Sequence, residues 1–141
     1  MKGVSMNILL INILCMFFSC NADQYESLDL KEGLYYGRNK GFFPQSIVYA
    51  TISKDTAFVE SYLPLKGAFF HTLSDTLVLK DKETPLFLSE KSTIYSKKGK
   101  LFFKTIAGKS EYNVEETQIT YQPEKGNEYI EIKNQAKPFK E

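Results

Sequence analysis

The chain has 141 residues, enough for one compact domain and short for two. Lys and Arg number 18 against 17 Asp and Glu, so there is no basic excess to displace counterions, and nucleic acid is not expected as a partner. Both cysteines, Cys15 and Cys20, lie near the N-terminus, which leaves the rest of the chain without a disulfide framework.

The first residues follow the three-part plan of a secretory signal. Lys2 supplies the positive region, Ile8 to Phe18 the apolar core, and Ser19 the small residue before Cys20. Eleven helical residues rise roughly 16 Å, about half of a bilayer core, so the segment is too short to span. The run Phe17-Phe18-Ser19-Cys20 resembles the lipobox of bacterial lipoproteins, in which Gly, Ala or Ser precedes an invariant Cys. Phe17 and Phe18 are bulkier than the residues usual there. The resemblance implies cleavage after residue 19, diacylglycerol on the Cys20 thiol, and a permanent anchor of two or three acyl chains. By the same resemblance, Asn21 rather than Asp implies the outer membrane rather than the inner one. The cleaved product would carry 17 charges of each sign.

Three segments follow: a signal peptide over 1–19, a lipidated N-terminus and polar tether over 20–32, and an all-β domain over 33–141. From Gly33 onward, short β-rich runs alternate with turn residues about every ten positions, and 11 Phe and 9 Tyr favour strands. The spacing predicts strands over 33–37, 46–53, 56–63, 67–73, 76–81, 85–89, 92–96, 100–106, 110–115, 118–122 and 128–133. With no long amphipathic helix, the expected architecture is one antiparallel meander. It would form a closed or nearly closed, lipocalin-like barrel, or a β-sandwich.

Three hairpins have testable registers. A turn at Lys54-Asp55 pairs Ile52 with Ala57, Ala50 with Val59 and Val48 with Ser61. A turn at Ser74-Asp75 pairs Phe70 with Leu79 and Thr72 with Leu77; one at Glu116-Thr117 pairs Val114 with Ile119 and Tyr112 with Tyr121. Lys-Gly steps at 40–41, 66–67 and 98–99 each precede an aromatic pair, with a weaker copy at 125–126, and read as turns entering strands.

The chemistry-bearing templates are missing. The sequence holds no Gly-rich phosphate loop, no Cys-x-x-Cys, no His-Glu-x-x-His and no nucleophile elbow. His71 is the only histidine and Cys20 the only cysteine left after cleavage, so no metal site and no cofactor are expected. Glu60, Asp75, Asp81, Glu115 and Glu116 are candidate acid–base groups whose spacing does not converge, and no enzymatic activity is expected. The best candidate ligand surface is Tyr49, Phe58, Glu60 and Tyr62, with Ile47 beside them, where tyrosines flank a single carboxylate. The same residues equally suit a second core layer with Glu60 at its rim.

These readings lead to a lipid-anchored cell-envelope protein that acts as a binding or accessory module for a protein or glycan. The alternative is a lipocalin-like carrier of a small apolar ligand, although the chain lacks the early Gly-x-Trp of lipocalins and has no Trp. A carboxylate-based hydrolase ranks below both.

Overall fold

Period-two alternation runs through most of the chain, and a computed structural model shows how it closes on itself. The structure describes residues 30–39, 45–106 and 114–139. The signal segment, Cys20, the tether up to residue 29, the Lys-Gly step at 40–41 and residues 110–113 of one expected strand lie outside them.

Among the described residues the strands are β1 (Gly33–Arg38), β2 (Ile47–Ser53), β3 (Thr56–Leu65), β4 (Ala68–Asp81), β5 (Leu86–Leu88), β6 (Ser92–Lys97), β7 (Lys100–Ile106) and β8 (Val114–Tyr121). Each pairs antiparallel with the next, and β1 also pairs with β8, so the eight strands form a closed up-and-down barrel. A 3-10 turn over Pro123–Lys125 leads into helix α1 (Gly126–Gln135), and β9 (Lys137–Pro138) then runs parallel to β4 outside the barrel. Among the described residues, no helix is long and apolar enough to cross a membrane.

The inward-facing set is apolar and tightly packed. Tyr35, Val48, Ala50, Ile52, Ala57, Val59, Leu77, Phe87, Ile94, Leu101, Phe103 and Ile119 are all buried in one cluster that fills the barrel. Facing outward are Thr72, Ser74, Thr76 and Lys80 on β4, Lys104 on β7, and Glu116, Gln118 and Thr120 on β8. The outer face of β4, β7 and β8 is thus mostly polar, with Val78 and Ile106 exposed on it, whereas β1, β2 and β3 are apolar on both faces.

Turn chemistry sets the registers. Lys66 and Gly67 have φ of 50° and 78°, and Lys98 and Gly99 have 54° and 74°. Two consecutive positive φ values make the tight turn that matches strand twist, and glycine removes the Cβ penalty at the second position. The Lys54-Asp55 hairpin has the expected pairs Ile52 with Ala57, Ala50 with Val59 and Val48 with Ser61.

Three expectations are corrected. Residues 74–75 do not turn: β4 is continuous across them, so Phe70 faces Leu63 rather than Leu79, and Leu77 faces Ala57 rather than Thr72. The Asp75 side chain accepts a hydrogen bond from Ser89 within the barrel wall, which gives a turn-favouring residue a partner in a strand. Residues 116–117 do not turn either; they lie mid-strand in β8, where Glu116 faces Lys104 and Thr117 faces Phe103. Finally, 128–133 is helix, and Lys125-Gly126 begins it. Tyr129, Ile132 and Ala136 recur at helical spacing and pack on the barrel, with Glu128 in the first turn and Lys133 in the last, as the helix dipole favours.

Closure depends on Gly37. A Cβ there would sit 2.2 Å from the Gln118 carbonyl oxygen and 2.9 Å from Ile119 Cγ2, backbone and core that cannot retreat together. Gly37→Ala is expected to cost about 1–3 kcal/mol or more in urea unfolding. Gly126→Ala, where nothing lies within 4 Å in a helical backbone, is expected to be neutral or to stabilise by up to about 1 kcal/mol.

Candidate functional site

The hairpin of β2 and β3 is apolar on both faces because both faces are covered. Val48, Ala50, Ile52, Ala57 and Val59 point into the barrel. Ile47, Tyr49 and Tyr62 point outward into a second buried cluster with Ile132 of α1, flanked by Leu34, Tyr36, Phe69, Tyr129 and Ala136. The candidate tyrosines thus lie beneath the chain's own helix. Tyr129 stacks on Tyr49 at a centroid distance of 4.5 Å, and Tyr36 and Tyr62 contact the same Tyr49 ring at 5.3 and 6.2 Å. Lys125 extends the layer, with Nζ 4.6 Å from the Tyr36 ring and 3.0 Å from Glu128.

Glu60 is the polar centre of this layer and is only 5 % exposed. The Tyr129 hydroxyl donates a short hydrogen bond to its Oε1, and Lys133 Nζ lies 3.2 Å from the same oxygen. His71 Nε2 lies 3.2 Å from Oε2. Phe58, half-buried on the same face, sits with its ring 5.8 Å from Lys133 Nζ. The structure therefore brings Tyr49, Phe58, Glu60 and Tyr62 together on one face, and adds three partners that the sequence did not associate with them: His71, Tyr129 and Lys133.

A β-bulge places the histidine. Ser61 pairs with Leu73 but Tyr62 pairs with His71, so Thr72 is the extra residue on β4. Without that insertion the register would set Thr72 opposite Tyr62 and turn His71 to the other face. The strand β9 then holds this stretch of β4, Phe139 N–H donating to the His71 carbonyl at 3.3 Å.

The electrostatics are those of a fixed carboxylate among neutral phenols. Burial pushes the Glu60 pKa up, but the hydrogen bonds from Tyr129 and Lys133 and the nearby charges outweigh it, and the net shift is downward from 4.5. Burial, reinforced by Glu60, pushes the Tyr129 and Tyr62 hydroxyls well above the usual phenol range; burial, reinforced by Glu128, does so for Tyr49. Phenols that stay protonated can donate and cannot act as bases. The arrangement is chemically a dock: it fastens α1 to the barrel through one desolvated carboxylate.

The other carboxylates are dispersed. Asp75 accepts from Ser89 Oγ at 2.5 Å, Ser92 N–H donates to that hydroxyl at 3.0 Å, and Ser92 Oγ meets Thr105 Oγ1 at 2.9 Å. This chain of hydroxyls closes the β5–β6 end of the barrel. Asp81 accepts from the Thr84 hydroxyl at 2.7 Å and from Glu83 N–H at 3.0 Å, which lowers its pKa and builds the β4–β5 turn. Glu116 is exposed on β8, and the Glu115 side chain lies outside the described residues. Among the described residues, no three His, Cys, Asp or Glu side chains gather as metal ligands.

Tyr129→Phe, which keeps the stack and removes one hydrogen bond to a buried carboxylate, is expected to destabilise by about 1.5–3 kcal/mol. Lys133→Met, at a half-exposed ammonium, is expected to cost no more than about 1 kcal/mol. Because the folded Glu60 pKa lies below its unfolded value, its stabilising contribution is full above about pH 4.5 and declines as pH falls through the lowered value. The stability gap between wild type and Glu60→Gln should therefore narrow on acidification below that pH in urea titrations.

Compared with protein families, curated proteins and solved structures, the chain finds no match, so the reading of its function rests on its own residues.

Proposed function

We propose that this chain is a lipid-anchored cell-envelope protein whose barrel serves as a non-catalytic binding or accessory scaffold for a protein or glycan. The observation that carries the reading is the filled interior. Phe87, Ile94, Leu77 and Val59 are fully buried inside the barrel, together with Tyr35, Leu101, Phe103 and Ile119, so the chain's own side chains occupy the volume a carried ligand would need. The tyrosine face that offered the other concave possibility is occupied by α1. Recognition is thereby left to the exterior and to the two barrel ends.

The distribution of carboxylates supports the non-catalytic part. Glu60, Asp75 and Asp81 are each engaged by separate partners of the same chain, and no two of them share a cleft. The anchoring part rests on the signal-like segment and on Cys20 behind it, with the outer membrane as the proposed location.

Three measurements test this. Radiolabelled palmitate should enter the wild-type product and not a Cys20→Ser variant; equal labelling of both would sink the anchor. Crosslinking in intact cells, followed by purification and mass spectrometry, should recover a stable envelope protein or glycan with the wild type. Organic extraction of the purified protein should release no stoichiometric apolar ligand; if it releases one and crosslinking recovers nothing, the carrier reading replaces the scaffold.

A further inference from the structure

The strands alternate in direction, so the entry segment 30–32, the turns at 54–55, 82–85 and 98–99, and the exit of β8 all lie at one end of the barrel. The entry segment is pinned there. The Tyr35 hydroxyl donates to the Lys31 carbonyl at 2.7 Å and accepts from Lys31 N–H at 3.1 Å, while Leu30 packs against the barrel core. The chain therefore reaches the barrel at a fixed corner rather than through a loose hinge.

That corner has its own composition. Beside the entry segment is an open depression of about 260 Å³, lined in the main by apolar groups of Leu30, Tyr35, Leu101, Ile119 and Tyr121, with Lys31 and Lys100 on its rim. Tyr121 is 40 % exposed, and Lys31 Nζ lies 5.5 Å from its ring. The other segments at this end pair each cation with an adjacent acid, as in Lys31-Glu32, Lys54-Asp55 and Lys82-Glu83. The β6–β7 turn has a different make-up: Lys98 and Lys100 flank Gly99, and no acid stands between them. At the opposite end, the described turns carry Lys66 alone and Glu90 beside Lys91.

An aromatic and aliphatic patch flanked by the ammonium groups of Lys31 and Lys100 matches the headgroup layer of a bilayer. Tyrosine settles at that depth, and lysine stems lie along apolar surface while their ammonium groups reach phosphate. The reach is also right, because the ten residues from Cys20 to Leu30 extend to at most about 36 Å. We infer that this corner is a membrane-docking face that seats the barrel on an anionic phospholipid surface. Leu30 and Tyr121 sit at headgroup level, and Lys98 and Lys100 lie against lipid phosphates. The inference rests on the anchored reading of Cys20 and adds to it an orientation: the opposite end, with the 66–67 and 89–91 turns, faces away from the membrane.

The test uses the lipidated protein with two vesicle populations, pure phosphatidylcholine and phosphatidylcholine with 30 % phosphatidylglycerol. Flotation reports the anchor, and amide hydrogen exchange reports the face. The expected result is flotation with both, with exchange of residues 30–35 and 97–101 slowed at least threefold on the anionic vesicles only. Raising NaCl to 0.5 M should remove the difference without any substitution, as should Lys98→Glu with Lys100→Glu, whose exposed side chains leave the thermal melt unchanged. Charge reversal at Lys66 and Lys91 should have no effect. Flotation with neither vesicle overturns the anchor, and the docking face with it. Flotation with both and equal exchange at 97–101, or slowing at 66–67 and 89–91 instead, overturns the docking face and leaves the anchor standing.

Discussion

Eight strands become a barrel only if the first and last can approach each other, and here that contact is narrow. β1 meets β8 through two register pairs, Tyr35 with Tyr121 and Tyr36 with Thr120, and Gly37 lets the Gln118 carbonyl come closer than any side chain would permit. Closure at this point removes the sheet edges that β1 and β8 would otherwise expose. It also brings Tyr35 over Ile119 and Leu101, so that the interior packs as one cluster. The filled core, the fixed entry corner and the position of the chain leaving β8 all follow from it.

The segment leaving β8 explains a second feature. A barrel wall normally has one apolar and one polar face, yet β1, β2 and β3 carry Leu34, Tyr36, Ile47, Tyr49 and Tyr62 on the outside. The helix covers these residues, and a carboxylate rather than a hydrophobic residue marks the spot where it docks. Removing Glu60 from water is costly, and the cost is offset first by the Tyr129 hydrogen bond and then by the nearby Lys133 and His71. Such a dock accepts one arrangement of the helix, whereas an apolar patch alone would tolerate several. The tyrosine rings supply area to this second core, and burial keeps their hydroxyls protonated; those of Tyr49 and Tyr62 are buried without a hydrogen-bond partner among the described residues.

This arrangement shapes the functional reading. With the interior and the tyrosine face both occupied by the chain itself, what remains for contact among the described residues is a mostly polar strand surface, on which Val78 and Ile106 are exposed, and two ends of different composition. One end receives the chain at a corner with Lys31, Lys98, Lys100 and the exposed Tyr121; among the described residues, the turns at the other carry Lys66 and the pair Glu90-Lys91. The proposed orientation of the barrel draws on that asymmetry.

Much of the strand pattern was legible in the sequence, because inward and outward residues alternate and the Lys-Gly steps at 66–67 and 98–99 punctuate it. The all-β class, the register of the Lys54-Asp55 hairpin and the membership of Tyr49, Phe58, Glu60 and Tyr62 in one face followed from local pattern alone. Ser74-Asp75 and Glu116-Thr117 misled because turn preference is a local property, while cross-strand pairing to β3 and β7 and the Ser89 partner of Asp75 are not. The 128–133 segment misled for a related reason: its helical face has meaning only where an apolar outer wall awaits it. Sequence by itself determined which residues are apolar, how often they alternate and where glycine permits a tight turn. Tertiary structure alone decided barrel over sandwich, the bulge that sets His71 beside Glu60, and the helix that seals them, because each depends on contacts between residues distant in the chain whose free energy no local window contains.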